Sequence, residues 1–196
     1  MKKIAIIGCG ISGLYFANLL KDDKLYNYTI FEKKSQINLS DGYGIQLSVN
    51  SIKLLNQIGF RNIPDSEIFF PDKVNFFDAK NIKKICEINI SRFNSKDYKY
   101  TLLKRSSLIK FLLKNIPSEK IKSDLEVKQV EYGDKIRVTF SNNTSEEFDF
   151  LIVSDGIFSK TKSTILNNES APKFFNSVAL RANIKNLNDY NISIYM

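Results

Sequence analysis

The stretch IAIIGCGISG at residues 4–13 organises this chain. Its first four residues are apolar and mostly β-branched, which predicts a buried strand. Apolar residues at helical spacing over 14–20 predict a helix directly after the glycines. A second strand is predicted at 28–31 and ends in Glu32. A strand, a G-x-G-x-x-G turn, a helix, a strand and an acid in this order are typical of a βαβ unit that binds a dinucleotide.

Each glycine of the turn has its own physical role. Gly8 permits a tight turn after the strand, and Gly10 lets the backbone approach a pyrophosphate. Gly13 allows the helix to pack closely on the sheet. The helix is predicted to start near Ile11, so the free N–H groups around Ile11 and Ser12 would face the phosphates.

Glu32 follows Gly13 by nineteen positions, where a carboxylate can accept hydrogen bonds from ribose hydroxyls. An acid here favours an unphosphorylated ribose, as in FAD or NAD, over NADP. The motif does not separate FAD from NAD. Lys33 adjoins Glu32 and is kept as a candidate nucleotide-binding residue, although solvated surface charge is its simpler interpretation.

Length and composition indicate an ordinary globular protein. The chain has 196 residues, of which 43% are hydrophobic and 26% charged, enough for one domain or one and a half. Met1-Lys2-Lys3 leads straight into a strand, so no secretory signal is expected, and no apolar run reaches membrane-spanning length. Two cysteines without paired spacing, Cys9 and Cys86, predict a reducing, cytoplasmic compartment and no metal site.

The net charge of +8 raises the question of a nucleic-acid partner. The lysines are scattered, and no arginine-rich run or basic stripe with interleaved aromatics is present, so no nucleic-acid partner is predicted. Peripheral association with an anionic membrane surface stays an open alternative.

The sequence contains no histidine. Its absence excludes Ser-His-Asp and Cys-His catalysis and zinc sites that use imidazole. A nucleotide-binding turn without a catalytic histidine points to chemistry carried by a cofactor.

Beyond the first unit, the pattern predicts a mixture of helices and antiparallel strands. A helix is predicted at 51–58, capped by Ser48 or Asn50 and closed by Gly59. Alternating residues predict a hairpin of strands 73–78 and 84–90. Residues 98–107 are predicted to reopen a helix that continues through the apolar positions of 108–113 and stops at Pro117. The remaining predicted elements are strands at 125–130, 136–140, 148–153, 174–184 and 191–195 and a helix at 160–166.

Asp155 and Gly156 follow the predicted strand 148–153 and precede the helix at 160–166. This order places a carboxylate and a flexible turn at the carboxyl edge of a sheet, which is where ligands bind in α/β folds. An ordinary turn is the simpler alternative for these two residues alone.

Several stretches together resemble one family. They are GCGISG at 8–13 with Glu32, GYGIQLSVNSIKLLNQIGF at 42–60, KRSSLIKFLL at 104–113, LIVSDGIFSKTKS at 151–163 and ALRANI at 179–184. In this order they resemble the N-terminal part of class A FAD-dependent aromatic monooxygenases, of the para-hydroxybenzoate and salicylate hydroxylase type. The resemblance implies an α/β fold, with a Rossmann-like FAD-binding domain and inserted antiparallel substrate-domain strands. It assigns 1–70 and 98–170 to FAD binding, and 71–97 and 171–196 to a partial substrate sheet.

The resemblance also implies the roles of individual residues. FAD pyrophosphate would lie on the glycine turn, the adenosine ribose on Glu32, and the flavin phosphate region near Arg105. Asp155 and Gly156 would support the pyrophosphate and a transiently bound pyridine nucleotide. Three residues would run along the flavin, namely Gly44, Ile45 and Gln46. No catalytic residue is assigned.

The chain departs from the family pattern in two ways, by substitutions within one motif and by the absence of another. Phe158 and Lys162 stand where the family often has histidine and arginine, and lysine lacks the bidentate fork of arginine. The family's third flavin motif, Gly-Asp followed by small residues, has no counterpart after Ser159. We therefore expect a truncated or split portion of a longer hydroxylase, whose C-terminal part is absent or supplied by a complementing chain.

The activity implied by the resemblance is hydroxylation of an aromatic or quinone-precursor substrate, with FAD, NAD(P)H and O2. Two alternatives stay open. One is an FAD- or NAD-binding fragment with no activity of its own, and the other is a flavin reductase of related fold. The sequence does not identify the substrate.

Overall fold

A computed structural model describes residues 1–37, 39, 43–167 and 172–180 of this chain. The chain divides into two compact units: the first comprises Met1–Ser40 and Leu108–Phe174, and the second comprises Asp41–Ser107 and Phe175–Met196. The functional division predicted from the resemblance, with boundaries at residues 70, 97 and 170, stays a prediction.

The described residues form strands and helices in the following order: β1 (Lys2–Ile7), α1 (Ile11–Leu20), β2 (Tyr26–Phe31), β3 (Gly44–Leu47), α2 (Val49–Asn56), β4 (Ile68–Phe69), β5 (Lys73–Phe77), β6 (Lys84–Asn89), β7 (Thr101–Lys104), α3 (Arg105–Leu113), β8 (Ile121–Lys122), β9 (Val127–Tyr132), β10 (Ile136–Phe140), β11 (Ser145–Phe148), β12 (Phe150–Val153) and α4 (Lys160–Leu166). None of the helices in this described part is both long and apolar enough to cross a membrane.

The first unit is built on a parallel sheet in the order β12-β1-β2-β8. Ile4 of β1 lies opposite Tyr28 of β2 on one side and Phe150 of β12 on the other. β1 is thus a central strand, and its consecutive residues from Ile4 to Ile7 are buried, which means that both faces of the strand are covered and explains its continuous apolar run. The predicted βαβ unit, its helix and its parallel sheet are confirmed.

An antiparallel sheet, β11-β10-β9, packs beside the parallel one and supplies much of the core. Phe31 at the end of β2 stacks on Phe140 of β10, with ring centroids 4.4 Å apart, and meets Phe148 edge-on at 5.6 Å. Phe31 and Phe140 are fully buried. These rings fix the end of β2, and therefore Glu32, against the antiparallel sheet.

The predicted strand at 148–153 is in fact two strands, β11 and β12, separated by Asp149. The chain changes partner at this residue, from antiparallel pairing with β10 to parallel pairing with β1. Asp149 stabilises the change, since its N–H donates to the Lys3 carbonyl at 2.8 Å and its Oδ2 accepts from the Lys3 N–H at 2.7 Å. Asp149 is the single charged residue in this otherwise apolar run, but one polar residue does not by itself predict a change of partner.

The second unit contains an antiparallel sheet in the order β3-β7-β4 and the separate hairpin β5–β6. The prediction that residues 98–107 reopen a helix is wrong over β7, because α3 begins only at Arg105. Thr101 and Leu103 are buried while Leu102 and Lys104 are not, which is the period-two pattern of a strand. The predicted hairpin is confirmed.

Helix α2 begins two residues earlier than predicted, and Gly59 follows it with φ of +89°. This left-handed conformation favours glycine and ends the helix as predicted. Ser48 occupies the N-cap position but makes no side-chain hydrogen bond to the helix backbone.

The strand predicted at 174–184 is wrong over its described part, because residues 172–180 form no strand. The rest of that prediction, and the strand predicted at 191–195, lie outside the described residues.

Candidate functional site: the glycine turn and its cleft

The glycine turn leaves no space for side chains at two of its three glycines. Gly8 has φ of +102°, and a Cβ on it would lie 2.5 Å from the carbonyl oxygen of Ser154. A Cβ on Gly13 would lie 2.1 Å from the carbonyl oxygen of Gly8. Both positions therefore require glycine, for the conformation of the turn and for the close packing of α1.

Gly10 differs from both, because a Cβ on it would meet nothing within 4 Å. Gly10 is the N-cap of α1, and no side chain caps the helix there. The first N–H groups of α1, on Ile11, Ser12 and Gly13, lack helical partners as in any helix. Ile11 is half-buried and Ser12 is exposed, so this end of the helix is accessible from solvent. The open space at Gly10 and the unpaired N–H groups form a cradle suited to an anion.

Glu32 links the end of β2 to the glycine turn. Its Oε2 accepts from the backbone N–H of Cys9 at 2.9 Å, and its Oε1 accepts from the N–H of Lys34 at 3.0 Å. A carboxylate has about four acceptor sites, so both oxygens retain capacity for a ligand hydroxyl. The sequence predicted a ligand role for Glu32 but not this structural one.

Cys9 is buried within the turn. Burial, with a smaller contribution from the charge of Glu32, raises the pKa of its thiol to about 12. The side chain is therefore a neutral thiol at physiological pH, as expected of a small buried residue.

The turn after β12 contributes a second carboxylate at the same edge of the sheet. Ser154 fastens this turn to β1, because its Oγ donates to the Ile7 carbonyl at 2.8 Å. Asp155 accepts a long hydrogen bond from the Thr161 N–H, at 3.4 Å, through Oδ2, while its Oδ1 is buried without a hydrogen-bond partner. A buried acceptor without a partner is costly, and such exceptions call for an explanation. Gly156 follows with φ of +88°, which turns the chain towards α4.

Glu32 and Asp155 line one small, open cleft in the first unit. Its apolar wall is formed by Ile7, Phe31, Leu125 and Val127, and its polar rim by Glu32, Lys33, Glu126, Asp155, Lys160 and Thr161. An ion pair between Lys160 Nζ and Glu126 Oε1, 2.9 Å long, spans part of the rim.

Sequence reasoning missed the contribution of residues 125–127 to this cleft. They lie just before and at the start of β9, nearly a hundred positions after Glu32, and only the tertiary structure brings them beside it. A backbone hydrogen bond joins the two segments directly, since the Leu125 N–H donates to the Glu32 carbonyl at 3.0 Å.

The other predicted site residues lie in the second unit. Gly44 pairs with Lys104 across β3 and β7, which places it beside Arg105, the first residue of α3. The Arg105 N–H donates to the Tyr43 carbonyl at 3.1 Å. Ile45 is half-buried, and Gln46 is exposed and accepts a hydrogen bond from the Tyr100 hydroxyl at 2.7 Å.

The predicted site residues thus form two local groups. One group comprises the glycine turn, Glu32, Lys33, Asp155 and Gly156 in the first unit, and the other comprises residues 44–46 and Arg105 in the second. What either group binds stays a prediction.

Comparison with known proteins finds relatives along most of the chain. FAD-dependent monooxygenase asqG of Emericella nidulans is 27% identical over 172 residues, which are 83% of this chain and 30% of that protein. 6-Hydroxynicotinate 3-monooxygenase of Pseudomonas fluorescens is 25% identical over 183 residues, 92% of this chain and 47% of that protein. The chain is similar to FAD-dependent monooxygenases. It spans less than half the length of these relatives, and no protein-family profile matches it.

Solved structures of monooxygenases and hydroxylases share the fold. 2,6-Dihydroxypyridine-3-hydroxylase of Arthrobacter nicotinovorans superimposes with a TM-score of 0.70 at 20% identity, covering 86% of this chain and 40% of that one. HpxO of Klebsiella pneumoniae, solved with FAD and uric acid, gives a TM-score of 0.68 at 22% identity, covering 83% of this chain and 41% of that one. The α/β fold expected from the resemblance is confirmed.

Proposed function

We propose that this chain binds FAD and belongs to an FAD-dependent monooxygenase that hydroxylates an aromatic or quinone-precursor substrate with NAD(P)H and O2. The observation that carries the proposal is the site at the carboxyl edge of the parallel sheet. It combines the open cradle at Gly10 with two carboxylates, Glu32 and Asp155, on one cleft. The similarity to FAD-dependent monooxygenases along most of the chain supports the same assignment.

The cradle fits a pyrophosphate. The space at Gly10 admits a phosphate close to the backbone, and the N–H groups of Ile11 and Ser12 can donate to its oxygens. The positive end of the α1 dipole adds attraction of about 0.3–1 kcal/mol for the negative charge.

The lining of the cleft beside the cradle offers groups that an adenosine can contact. Glu32 retains acceptor sites for ribose hydroxyls, and the apolar wall that includes Leu125 and Val127 suits a flat base. The unpartnered Oδ1 of Asp155 is buried, and a rotation of the side chain towards the cleft would let it accept a hydrogen bond from a ligand hydroxyl, which would remove the cost of leaving it unpaired.

When bound, FAD would supply electron transfer and oxygen activation, which no side chain of this chain can provide. The residues of the chain would bind, orient and shield it. Following the resemblance, we assign residues 44–46 to the flavin side and Arg105 to the flavin phosphate region. Asp155 and Gly156 are assigned to the docking of NAD(P)H, for which Lys162 would offer a charge without the bidentate fork of arginine.

The substrate assignment rests on the relatives. They include a 6-hydroxynicotinate 3-monooxygenase and a 3-amino-4-hydroxybenzoate 2-monooxygenase, which by name act on small aromatic rings. A small aromatic molecule is therefore the proposed partner, with no nucleic acid. A cytoplasmic location belongs to the same proposal, since Cys9 and Cys86 are both free thiols. Peripheral membrane association is not part of it.

A second candidate is an FAD- or NAD-binding fragment without activity of its own. It is favoured by the share of each relative that the chain spans, between 30% and 47%. In this case a complementing chain would complete the enzyme. A flavin reductase is the third alternative, which would oxidise NAD(P)H without hydroxylating a substrate.

The first test is the visible absorption spectrum of the purified chain, recorded before and after addition of FAD and desalting. Retained flavin at about one equivalent is expected, and a colourless protein would contradict FAD binding. Oxygen consumption with NAD(P)H and 6-hydroxynicotinate then separates the candidates. Hydroxylated product indicates a monooxygenase, NAD(P)H oxidation without product indicates a reductase, and bound FAD without turnover indicates a fragment.

A further inference from the structure

The outward face of the β3–β7 sheet in the second unit carries one well-defined polar contact. Gln46 lies opposite Leu102, and Tyr100 is two residues before Leu102, so the three side chains share a face. The opposite face, which includes Thr101 and Leu103, is buried. Gln46 and Tyr100 are thus neighbours on the side of the sheet that is accessible.

The Tyr100 hydroxyl donates to Gln46 Oε1 over 2.7 Å. Tyr100 is itself anchored, because its backbone N–H donates to Asn94 Oδ1 at 2.7 Å. Desolvation raises the pKa of the tyrosine, so the hydroxyl keeps its proton and remains a donor. With Oε1 engaged, the amide is held with its two Nε2–H donors directed away from Tyr100.

We propose that Tyr100 is a positioning residue, whose hydroxyl orients the Gln46 amide so that N–H donors face the ligand bound along β3. The inference rests on the proposed function, in which Gln46 runs along the flavin. A flavin ring carries carbonyl oxygens and ring nitrogens that accept hydrogen bonds. A freely rotating amide would present its carbonyl part of the time and would repel these acceptors.

The test compares Tyr100→Phe, Gln46→Leu and the double variant in the full chain. Tyr98→Phe is the matched control, because it removes the same atom from a nearby tyrosine on the same segment. The readouts are the FAD dissociation constant from fluorescence titration and the side-chain amide NMR signals of Gln46 without FAD. Thermal unfolding confirms that each variant folds.

We expect Tyr100→Phe to weaken FAD binding about fivefold, the effect of one ordinary hydrogen bond. The double variant should bind no more weakly than Gln46→Leu, since the two side chains act as a unit. The Gln46 amide signals should shift in Tyr100→Phe, while Tyr98→Phe leaves both readouts unchanged.

Unchanged FAD affinity in Tyr100→Phe, or effects of the two substitutions that simply add, would overturn the positioning role and leave FAD binding intact. Failure of the wild-type chain to bind FAD would overturn the positioning role and the proposed function together. The two failures are therefore distinguishable.

Discussion

The glycine turn of the first unit and the β5–β6 hairpin of the second unit are stabilised in different ways. The turn is enclosed by residues distant in sequence, such as Ser154, whose Oγ reaches the Ile7 carbonyl at 2.8 Å. All six residues of β6 are exposed. Ion pairs of Glu87 with Lys73, at 3.3 Å, and with Lys84 lie on the hairpin surface, where such pairs contribute little. Substitutions should therefore have large effects at the turn and small ones at the hairpin.

The largest effect is expected for Gly13→Ala. The new Cβ would lie 2.1 Å from the Gly8 carbonyl oxygen, which is backbone and cannot move aside without displacing α1 or β1. We expect the free energy of unfolding to fall by more than about 3 kcal/mol, measured by urea denaturation followed by circular dichroism.

Gly10→Ala is the matched control at the same turn, since its Cβ meets nothing within 4 Å. Its unfolding free energy should change by no more than about 1 kcal/mol, the usual cost of a less favourable N-cap residue. Equal losses in the two variants would show that the turn is not packed as described.

The two cysteines provide the next comparison, because Cys9 lies in the turn and Cys86 on the hairpin. Cys9 is buried with its thiol pKa raised to about 12, whereas Cys86 is exposed. At pH 8 an ordinary thiol has roughly a thousandfold more of the reactive thiolate than a thiol of this kind.

A thiol reagent should therefore label one equivalent in the native chain, on Cys86, and the second only after unfolding. Peptide mass mapping assigns the site. Rapid native labelling of Cys9 would contradict the enclosure of the turn. The raised pKa of Cys9 also makes stability depend on pH. The thiol ionises at lower pH in the unfolded chain than in the folded one, so the free energy of unfolding falls as pH rises above about 8.5.

The smallest effect is expected for Ile88→Thr on the hairpin. Ile88 is 42% exposed, so little apolar surface leaves the core, and threonine retains a β-branched side chain. The change in unfolding free energy should stay within about 0.5 kcal/mol by the same denaturation measurement. A loss comparable to that of Gly13→Ala would show that this face is covered in solution.

The sequence predicted the fold best where local pattern and tertiary structure agree. The βαβ unit, the hairpin and α4 follow from periodicity and glycine placement, and the structure contains each of them. The division of 148–153 at Asp149 was not predicted, because one charged residue within an apolar run is also compatible with a single strand. Strand β7 was mistaken for helix, since its four residues lead directly into α3.

The candidate site was also predicted only in part from the sequence. Glycine spacing predicted Gly8, Gly10 and Gly13 as site residues. The structure adds that a Cβ would clash at Gly8 and Gly13 but would meet nothing within 4 Å at Gly10. Glu32 was predicted from its spacing, but its hydrogen bonds to the backbone of Cys9 and Lys34 were not. These bonds depend on how the end of β2 meets the turn, which no sequence motif encodes.

The measurement that tests the central claim most directly is an FAD titration of the wild-type chain and of Gly10→Val. Binding is monitored by the quenching of flavin fluorescence. Gly10→Val extends into the open cradle from a position where a Cβ meets nothing within 4 Å, whereas a Glu32 substitution would also remove two backbone hydrogen bonds. Gly133→Val is the control, because its Cβ would make only an ordinary contact at 3.7 Å in a turn outside the cleft.

We expect the wild-type chain and Gly133→Val to bind FAD equally, and Gly10→Val to bind at least about tenfold more weakly with its fold intact, since the valine side chain occupies the place of the pyrophosphate. Equal FAD affinity in all three proteins would contradict the assignment of the glycine turn as the site of FAD binding.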